Sequence, residues 1–492
     1  MDAFDYVSMF EEAMLAAGNT GAAECCGSAG AGEPCGIPGE KQHSTGGRAV
    51  VLEEMNRLMR GFSENYLQAA RDFAEFGAYE EASAMLCQCA ADKPMLFYYQ
   101  AYYGERRGLG SEAVAGLLGR AESACPDYCF PNKLEDIPVL EFAIKGNPRG
   151  AKAYYYLGNL FYDKLQYERA TALWEKSAAL DGSFPVVKRN LALSYYNKME
   201  RRDEARGMME QAFELNTADA RIFLELDQLY KKLGVSAGER LEYYEAHRET
   251  FTQRDDAVIE YITLHNQTGK YQEAYDLTMS RRFHPWEGGE GKITTQYTVA
   301  LVELAREAIR NGAFEKAEEL LGRALVYPEN LGEGKLEGTK DNHIYYYLGC
   351  VKEALGRREE ARECFERASV GPDEPAGMMY YYDQPADMIL YQGLAKLKLG
   401  KTGEAKSRFY RLIDYGEQHI GDHIRIEYFA VSLPDFLIFE DDLDVKNKTH
   451  CCYLMGLGNL GLGKKREAEA FFAQALELDG NHLNAIRYRR GV

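Results

Sequence analysis

The segment HPWEGGEGK (284–292) gathers His284, Trp286, Glu287, Glu290 and Lys292 around three glycines. Part of it returns 43 residues later, where Gly289-Glu290-Gly291-Lys292 is echoed by Gly332-Glu333-Gly334-Lys335, two residues after Asn330. Glycine lets a backbone turn tightly and present its amides. Carboxylates accept from hydroxyls and tryptophan stacks on a ring face, so such a frame suits a polar ligand such as a carbohydrate. It equally suits the docking of another protein or domain. The plainer reading is a rigid loop in which Trp286 fills a gap and Glu–Lys pairs tie neighbouring turns. Neither copy is a phosphate-binding loop, which needs Gly-x-x-x-x-Gly-Lys-[Ser/Thr]. Trp286 stands where the first glycine belongs and Ile293 follows the lysine; Glu329 and Leu336 break the second copy.

Paired carboxylates about 5–10 Å apart hydrolyse glycosides. Glu287, Glu290, Glu333, Asp435, Asp441 and Asp442 are available for such a pair, although spacing alone does not say which of them approach. His419 and His423, spaced i, i+4, would share one face of a helix and could ligate a metal. No third ligand follows from the spacing, so neither a metal nor a cofactor is expected.

The chain's 77 acidic and 58 basic residues leave a net charge of −19 over 492 residues. That surface repels phosphate backbones and argues against nucleic-acid binding. No apolar run approaches the roughly 18 residues of a membrane span, and the acidic start MDAFDYVSMFEEAMLAAG is unlike a secretion signal. The eleven cysteines are odd in number and contain no Cys-x-x-Cys. That usage suits free thiols in a reducing cytoplasm.

The elements that must carry these residues repeat. Tyr162, Tyr196 and Tyr230 lie 34 residues apart. Gly158, Gly349, Gly393 and Gly456 are each followed twelve residues later by an alanine: Ala170, Ala361, Ala405 and Ala468. Four residues on comes a bulky ring: Trp174, Phe365, Phe409 or Phe472. Small residues let two antiparallel helices cross closely, and one such pair must stack on others to bury its apolar stripe. The pattern resembles the tetratricopeptide repeat. It predicts an all-α chain, an α-solenoid of about ten tetratricopeptide-like helix pairs starting near residues 63, 95, 150, 184, 218, 255, 294, 341, 386 and 448. Some tetratricopeptide proteins grip a peptide carboxylate with asparagines of two successive repeats. Asn159 and Asn190 fall at those positions, with Tyr155 and Tyr195 in the same groove, but Tyr155, Ala220 and Leu224 replace the basic partners.

Residues 1–60 stand outside the period as a tail and a flexible Gly/Ala/Ser-rich linker. Residues 61–124 hold two pairs, and the proline-bearing stretch 125–149 is a connector containing one short helix. Regular repeats fill 150–280. From 281 to 492 the repeats are separated by four long connections: 281–293, 327–343, 371–385 and 416–447. Each follows the second helix of a pair, so all four should emerge on one edge and form a binding surface there.

The strings DYCFPNKLEDIPVLEFAI, YYLGNLFYDK, RRFHPWEGGEGK, YPENLGEGK, VSLPDFLIFEDDL and YLMGLGNLGLG carry a further resemblance. From about residue 63 onward the chain is similar to the C-terminal half of a bacterial family of large proteins. Their β-rich front half is similar to sugar-mutarotase-like domains of carbohydrate-active enzymes. The resemblance implies a carbohydrate connection, yet no β-rich half is present here. The chain then reads as a truncated product, as a subunit docking a β-rich domain in trans, or as a solenoid adapted to another partner. The expectation is a cytoplasmic scaffold, not catalytic on its own, whose edge at 281–447 binds a protein, a separate β-rich domain or a carbohydrate. The alternative is a contribution of the HPWEGGEGK loop to a glycoside-processing site completed by that domain.

Overall fold

The computed structural model describes residues 56–284, 286, 288–378, 385–425 and 438–491. The amphipathic start and linker before residue 56, Glu287, Asp435 and parts of the third and fourth long connections lie outside the described residues. All regular structure among the described residues is helical, and it falls into two compact units divided after Leu215.

In unit 1, helix pairs are formed by α1 (Ser63–Glu75) with α2 (Tyr79–Cys87) and by α3 (Pro94–Arg106) with α4 (Ser111–Ser123). A single helix, α5 (Asp136–Gly146), interrupts them. The pairs α6 (Ala151–Asp163) with α7 (Tyr167–Leu180) and α8 (Pro185–Asn197) with α9 (Arg202–Leu215) follow. Pro94 and Pro185 open their helices at the first turn, where the missing N–H costs nothing.

In unit 2, α10 (Ala220–Lys232) pairs with α11 (Ala237–Ala246), trailed by the short α12 (Arg248–Phe251). Four pairs follow: α13 (Asp255–Thr268) with α14 (Tyr271–Met279), α15 (Lys292–Arg310) with α16 (Phe314–Ala324), α17 (Asn342–Ala354) with α18 (Arg358–Ala368), and α19 (Asp387–Lys398) with α20 (Thr402–His419). The last pair, α21 (Leu443–Gly461) with α22 (Lys465–Leu478), is followed by α23 (Leu483–Arg489). Side chains cap several starts: Asp219 accepts from the amides of Arg221 and Ile222, and Ser236 with Glu239 forms a reciprocal capping box. Each unit is thus a stack of tetratricopeptide-like pairs, and the predicted all-α repeat fold is what forms.

The crossings explain the sequence period, with one adjustment. The glycine of the first helix lies less against the alanine than against the ring four residues beyond it. A Cβ on Gly158 would stand 2.5 Å from Trp174, and one on Gly349, Gly393 or Gly456 would stand 2.5, 2.3 or 2.5 Å from Phe365, Phe409 or Phe472. The ring fills the space that the missing side chain leaves, and close packing is kept. Phe409 is wedged from both sides, since a Cβ on Gly461 would also come within 2.2 Å of it.

In the connector before α5, Asp136 is buried. One carboxylate oxygen accepts from the Tyr99 hydroxyl at 2.6 Å, and the other accepts from the amides of Asn132 and Lys133, both at 3.0 Å. Arg71 lies 3.6 Å away, so the charge is paired as well as hydrogen-bonded. The eight described cysteines are free thiols. No described helix is long and apolar enough to cross a membrane.

Candidate functional site

The first two long connections of unit 2 touch directly. The Phe283 amide donates to the Asn330 carbonyl at 2.8 Å. The Asn330 side chain donates to the carbonyls of Thr278 and Arg281, both at 2.9 Å, and so closes the end of α14. The Gly291 amide donates to Glu333 at 2.9 Å. Gly291 and Gly332 sit at φ +77° and +73°, a region open to glycine and strained for other residues. The two echoed Gly-Glu-Gly-Lys strings therefore interlock, the carboxylate of the second tying down the backbone of the first.

Trp286 is half-buried, with its ring laid over Gly289: a Cβ there would be 2.2 Å from the ring. Lys292 Nζ lies 5.6 Å from the centre of the same ring. Glu290 accepts from the Gly288 amide at 2.8 Å. Burial raises the Glu333 carboxyl, the Gly291 amide lowers it, and the nearby Glu290 charge raises it again; the net is upward. His284 is exposed, with its amide and Nδ1 on Asp255 at 3.0 and 3.1 Å. Asp255 also holds Arg281 at 2.5 Å. Lys335 pairs with Asp341 at 2.9 Å and lies 5.0 Å from the Tyr327 ring.

The same device recurs along the later connections. Asn342 donates to the carbonyls of Ala368 and Val370 at 2.9 and 2.8 Å, and Asn447 donates to the His419 carbonyl at 2.7 Å. The third connection is held by Asp373, paired with Arg408 at 2.5 Å and Arg411 at 3.2 Å, and by His450, whose Nε2 donates to the Ala376 carbonyl at 3.0 Å. Asparagine serves because its amide nitrogen carries two donors and can bridge two loose carbonyls. Asn330, near the start of the second connection, was already a candidate binding residue in the sequence; Asn342, Asn447 and Asp255 were equally open to sequence reading, but they belong to no repeat pattern and did not stand out.

Other candidates are dispersed. Helix α20 ends at His419, so His423 does not share its face as the i, i+4 spacing suggested. His419 Nδ1 meets Asp422 at 2.7 Å, while His423 Nδ1 meets Asp444 at 2.8 Å. Asp442 caps α21 by accepting from the amides of Asp444 and Val445, at 3.0 and 3.1 Å. Asp441 is ion-paired with Lys232 and Lys446.

In unit 1, Asn190 donates to the Asn159 side-chain oxygen at 3.1 Å, and that oxygen also accepts from Trp174 Nε1 at 3.0 Å. Tyr155 is buried edge-on against Phe184, with ring centres 4.9 Å apart. The Tyr195 hydroxyl donates to Glu175 at 2.8 Å, and Arg201 lies 3.9 Å from its ring. These groove residues are therefore engaged with one another and with their neighbours.

Interlocked helix pairs with latched connections define a helical-repeat protein of the tetratricopeptide-like class. No family model matches the chain. Among solved structures it is similar to YrrB, described as a TPR protein with an unusual peptide-binding site, at 21% identity over 39% of this chain and 93% of that one, with a TM-score of 0.29. It is also similar to a thermophilic TPR protein of Thermus thermophilus, at 17% identity over 41% of this chain and 98% of that one, with a TM-score of 0.24. Likeness at this level assigns no residue of this chain a role.

Proposed function

We propose that the chain is a helical-repeat scaffold for protein–protein or domain–domain docking, and that the connections of unit 2 between residues 281 and 447 carry the docking surface. The observation that supports this is a combination of fixed backbone and exposed apolar side chains. Asn330, Glu333 and Asn342 immobilise the connections, while Leu336 is 80% exposed and Val326 and Val370 are exposed on the same segments. A surface ordered before binding loses little entropy on association. Trp286, His284, Glu290, Lys292 and Lys335 supply the aromatic and charged part of that surface, and aromatic residues carry much of the energy of interfaces.

The test is a paired pull-down with the wild-type chain and with the Trp286→Ala and Leu336→Glu variants. Species retained by the wild type should be lost with the variants while thermal melting stays within about 1 kcal/mol of stability. Equal recovery by all three removes this surface from consideration.

The carbohydrate reading keeps one supporting observation: Glu333, raised from its ordinary value chiefly by burial, lies near Glu290 and in the loop pair that carries Trp286. Under that reading the chain contributes these carboxylates to a site completed by a separate β-rich domain. Glycosidase activity would then appear only in the mixture and fall at least about a hundredfold in Glu333→Gln, as expected on removing a general acid. No activity in the mixture leaves docking alone.

A further inference from the structure

The inside of unit 2 is closed by a segment from its far end. Arg487 on α23 donates from Nε and Nη2 to the Glu303 carboxylate on α15, at 3.0 and 2.7 Å, and both side chains are buried. Just before α23, the Asn481 side chain accepts from Arg240 Nη1 at 2.9 Å. The Asn481 backbone carbonyl accepts from Gln267 at 2.6 Å. Arg490 in turn donates to the Gln267 carbonyl at 2.6 Å. Arg240 and Asn481 are 241 positions apart in the chain.

Two features separate this contact from the stacking of neighbouring pairs. Toward α15 and the 235–267 region it is polar, while the fully buried apolar side chains of α23, Ala485 and Tyr488, join the core of the last pairs with Tyr488 against Phe472. By contrast, α21 buries Cys451 through Leu457 almost without a break. The two charged receivers, Glu303 and Arg240, are also satisfied without α23, whereas the Gln267 side chain is engaged through Asn481. Glu303 accepts two further hydrogen bonds from Arg306, at 2.8 and 2.9 Å. Arg240 grips Asp227 with two bonds of 2.8 and 2.7 Å and reaches Glu260 at 2.7 Å. Withdrawing α23 therefore strands neither Glu303 nor Arg240 as an unpaired buried charge, the arrangement that makes breaking a buried ion pair so costly. A receiving surface that keeps its own pairs is organised before anything binds.

We propose that the inner face of unit 2 is a binding slot for a short basic helical segment with an asparagine ahead of the helix and an arginine six residues on, and that residues 479–491 occupy this slot in cis. Glu303 sets the preference for arginine, whose planar fork reaches one carboxylate through two nitrogens at once. Charge points the same way: Arg487, Arg489 and Arg490 lie within four residues of a chain whose net charge is −19. A partner segment of the same chemistry competes with α23, so the chain's own segment sets the threshold for entry.

The experiment uses the full chain and a fluorescent synthetic peptide of residues 479–491, with binding read by anisotropy. In the wild type the slot is filled and the peptide binds weakly. Arg487→Glu places a like charge against Glu303, frees the slot, and should raise peptide affinity at least tenfold. Asn481→Ala removes the acceptor of Arg240 and a donor to the Val235 carbonyl at 3.4 Å, leaves the folded core intact, and should raise it severalfold; it decides the matter if the first variant does not fold by circular dichroism. A peptide carrying alanine in place of Arg487 should lose binding to both opened chains. Equal binding by wild-type and opened chains, or no saturable binding by any folded opened chain, overturns the proposal.

Discussion

Unit 1 is tied together by neighbours and unit 2 by distant residues. In unit 1 the stack is carried from pair to pair by rings, such as Tyr98 edge-on to Tyr156 at 6.1 Å and Tyr155 to Phe184 at 4.9 Å. Its longest connection is held by the buried Asp136, by Lys93 on the Asp127 carbonyl at 3.2 Å and by Lys152 on the Ala124 carbonyl at 2.7 Å. Unit 2 repeats the same crossings but adds latched connections and a polar closure that joins Glu303 to Arg487, 184 positions apart. Stacking alone therefore suffices for a repeat array. What unit 2 adds is polar and directional, and its closure through Arg487 does not repeat, which is where recognition in a repeat protein resides.

Overfilling a crossing should have the largest effect. Gly393→Val puts a branched side chain into the space held by Phe409, which Gly461 backs from the other side, and should cost about 3 kcal/mol. Gly158→Val in unit 1 displaces Trp174, which is hydrogen-bonded to the Tyr155 carbonyl at 3.2 Å and to Asn159. Its cost should be similar or somewhat smaller. Denaturant midpoints of the two variants measure this directly. If Gly158→Val is neutral, the crossings of the two units are not equivalent.

Acid should separate the units next. Apart from His43, outside the described residues, the other eight of the chain's nine histidines belong to unit 2. Burial holds His450 down to about 4 against the upward pull of its bond to the Ala376 carbonyl, and holds His343 to about 3 together with the nearby charges of Arg487 and Lys335. A histidine whose folded pKa lies below its unfolded value of about 6.5 stabilises the fold above pH 6.5, and that contribution is lost as pH falls toward the folded pKa. His450 alone should account for roughly 2 kcal/mol lost by pH 5. His423, exposed and raised by Asp444, acts in the opposite direction. The stability of wild type and His450→Gln, measured at pH 7.5 and pH 5, checks the assignment: the variant should lose distinctly less. An identical loss in both would place the acid sensitivity elsewhere.

The two kinds of tie also differ in how readable they are from residues alone. A contact between adjacent helices leaves a fixed spacing, so Gly158 with Trp174 and Gly393 with Phe409 could be found by their recurrence. The helix pairs, and the long connections after residue 280, follow from the same period. Asn481 and Arg487 recur nowhere. Their partners lie hundreds of residues back, and each looks like an ordinary surface residue near a helix end. The histidine pair 419/423 failed for a local reason: the spacing implied a helix that stops at the first of them, with Asp444 drawing His423 away. Glu290 and Glu333 were noticed for their glycine frame, but that each binds a loop amide depends on how two connections meet, which no local pattern encodes.

The smallest of these effects bears most directly on the rim. Asn330→Ala removes two donors from the carbonyls of Thr278 and Arg281 at the end of α14 while leaving the Phe283 amide on the residue 330 carbonyl. Two partly buried acceptors then turn to water, at a cost of about 1 to 2 kcal/mol. The latches of unit 1, Asn65 on the Met59 carbonyl at 3.0 Å and Lys152 on the Ala124 carbonyl at 2.7 Å, do not involve Asn330, so the change should loosen the 281–291 segment alone. Hydrogen exchange should quicken at the amides of Gly289 and Gly291 and stay constant along α13 and α15. Docking should weaken in the same variant, because the frame beneath Trp286 is no longer held. If exchange quickens but docking is unchanged, the surface works without a preformed loop, and the contrast between a stacked unit and a latched unit loses its functional meaning.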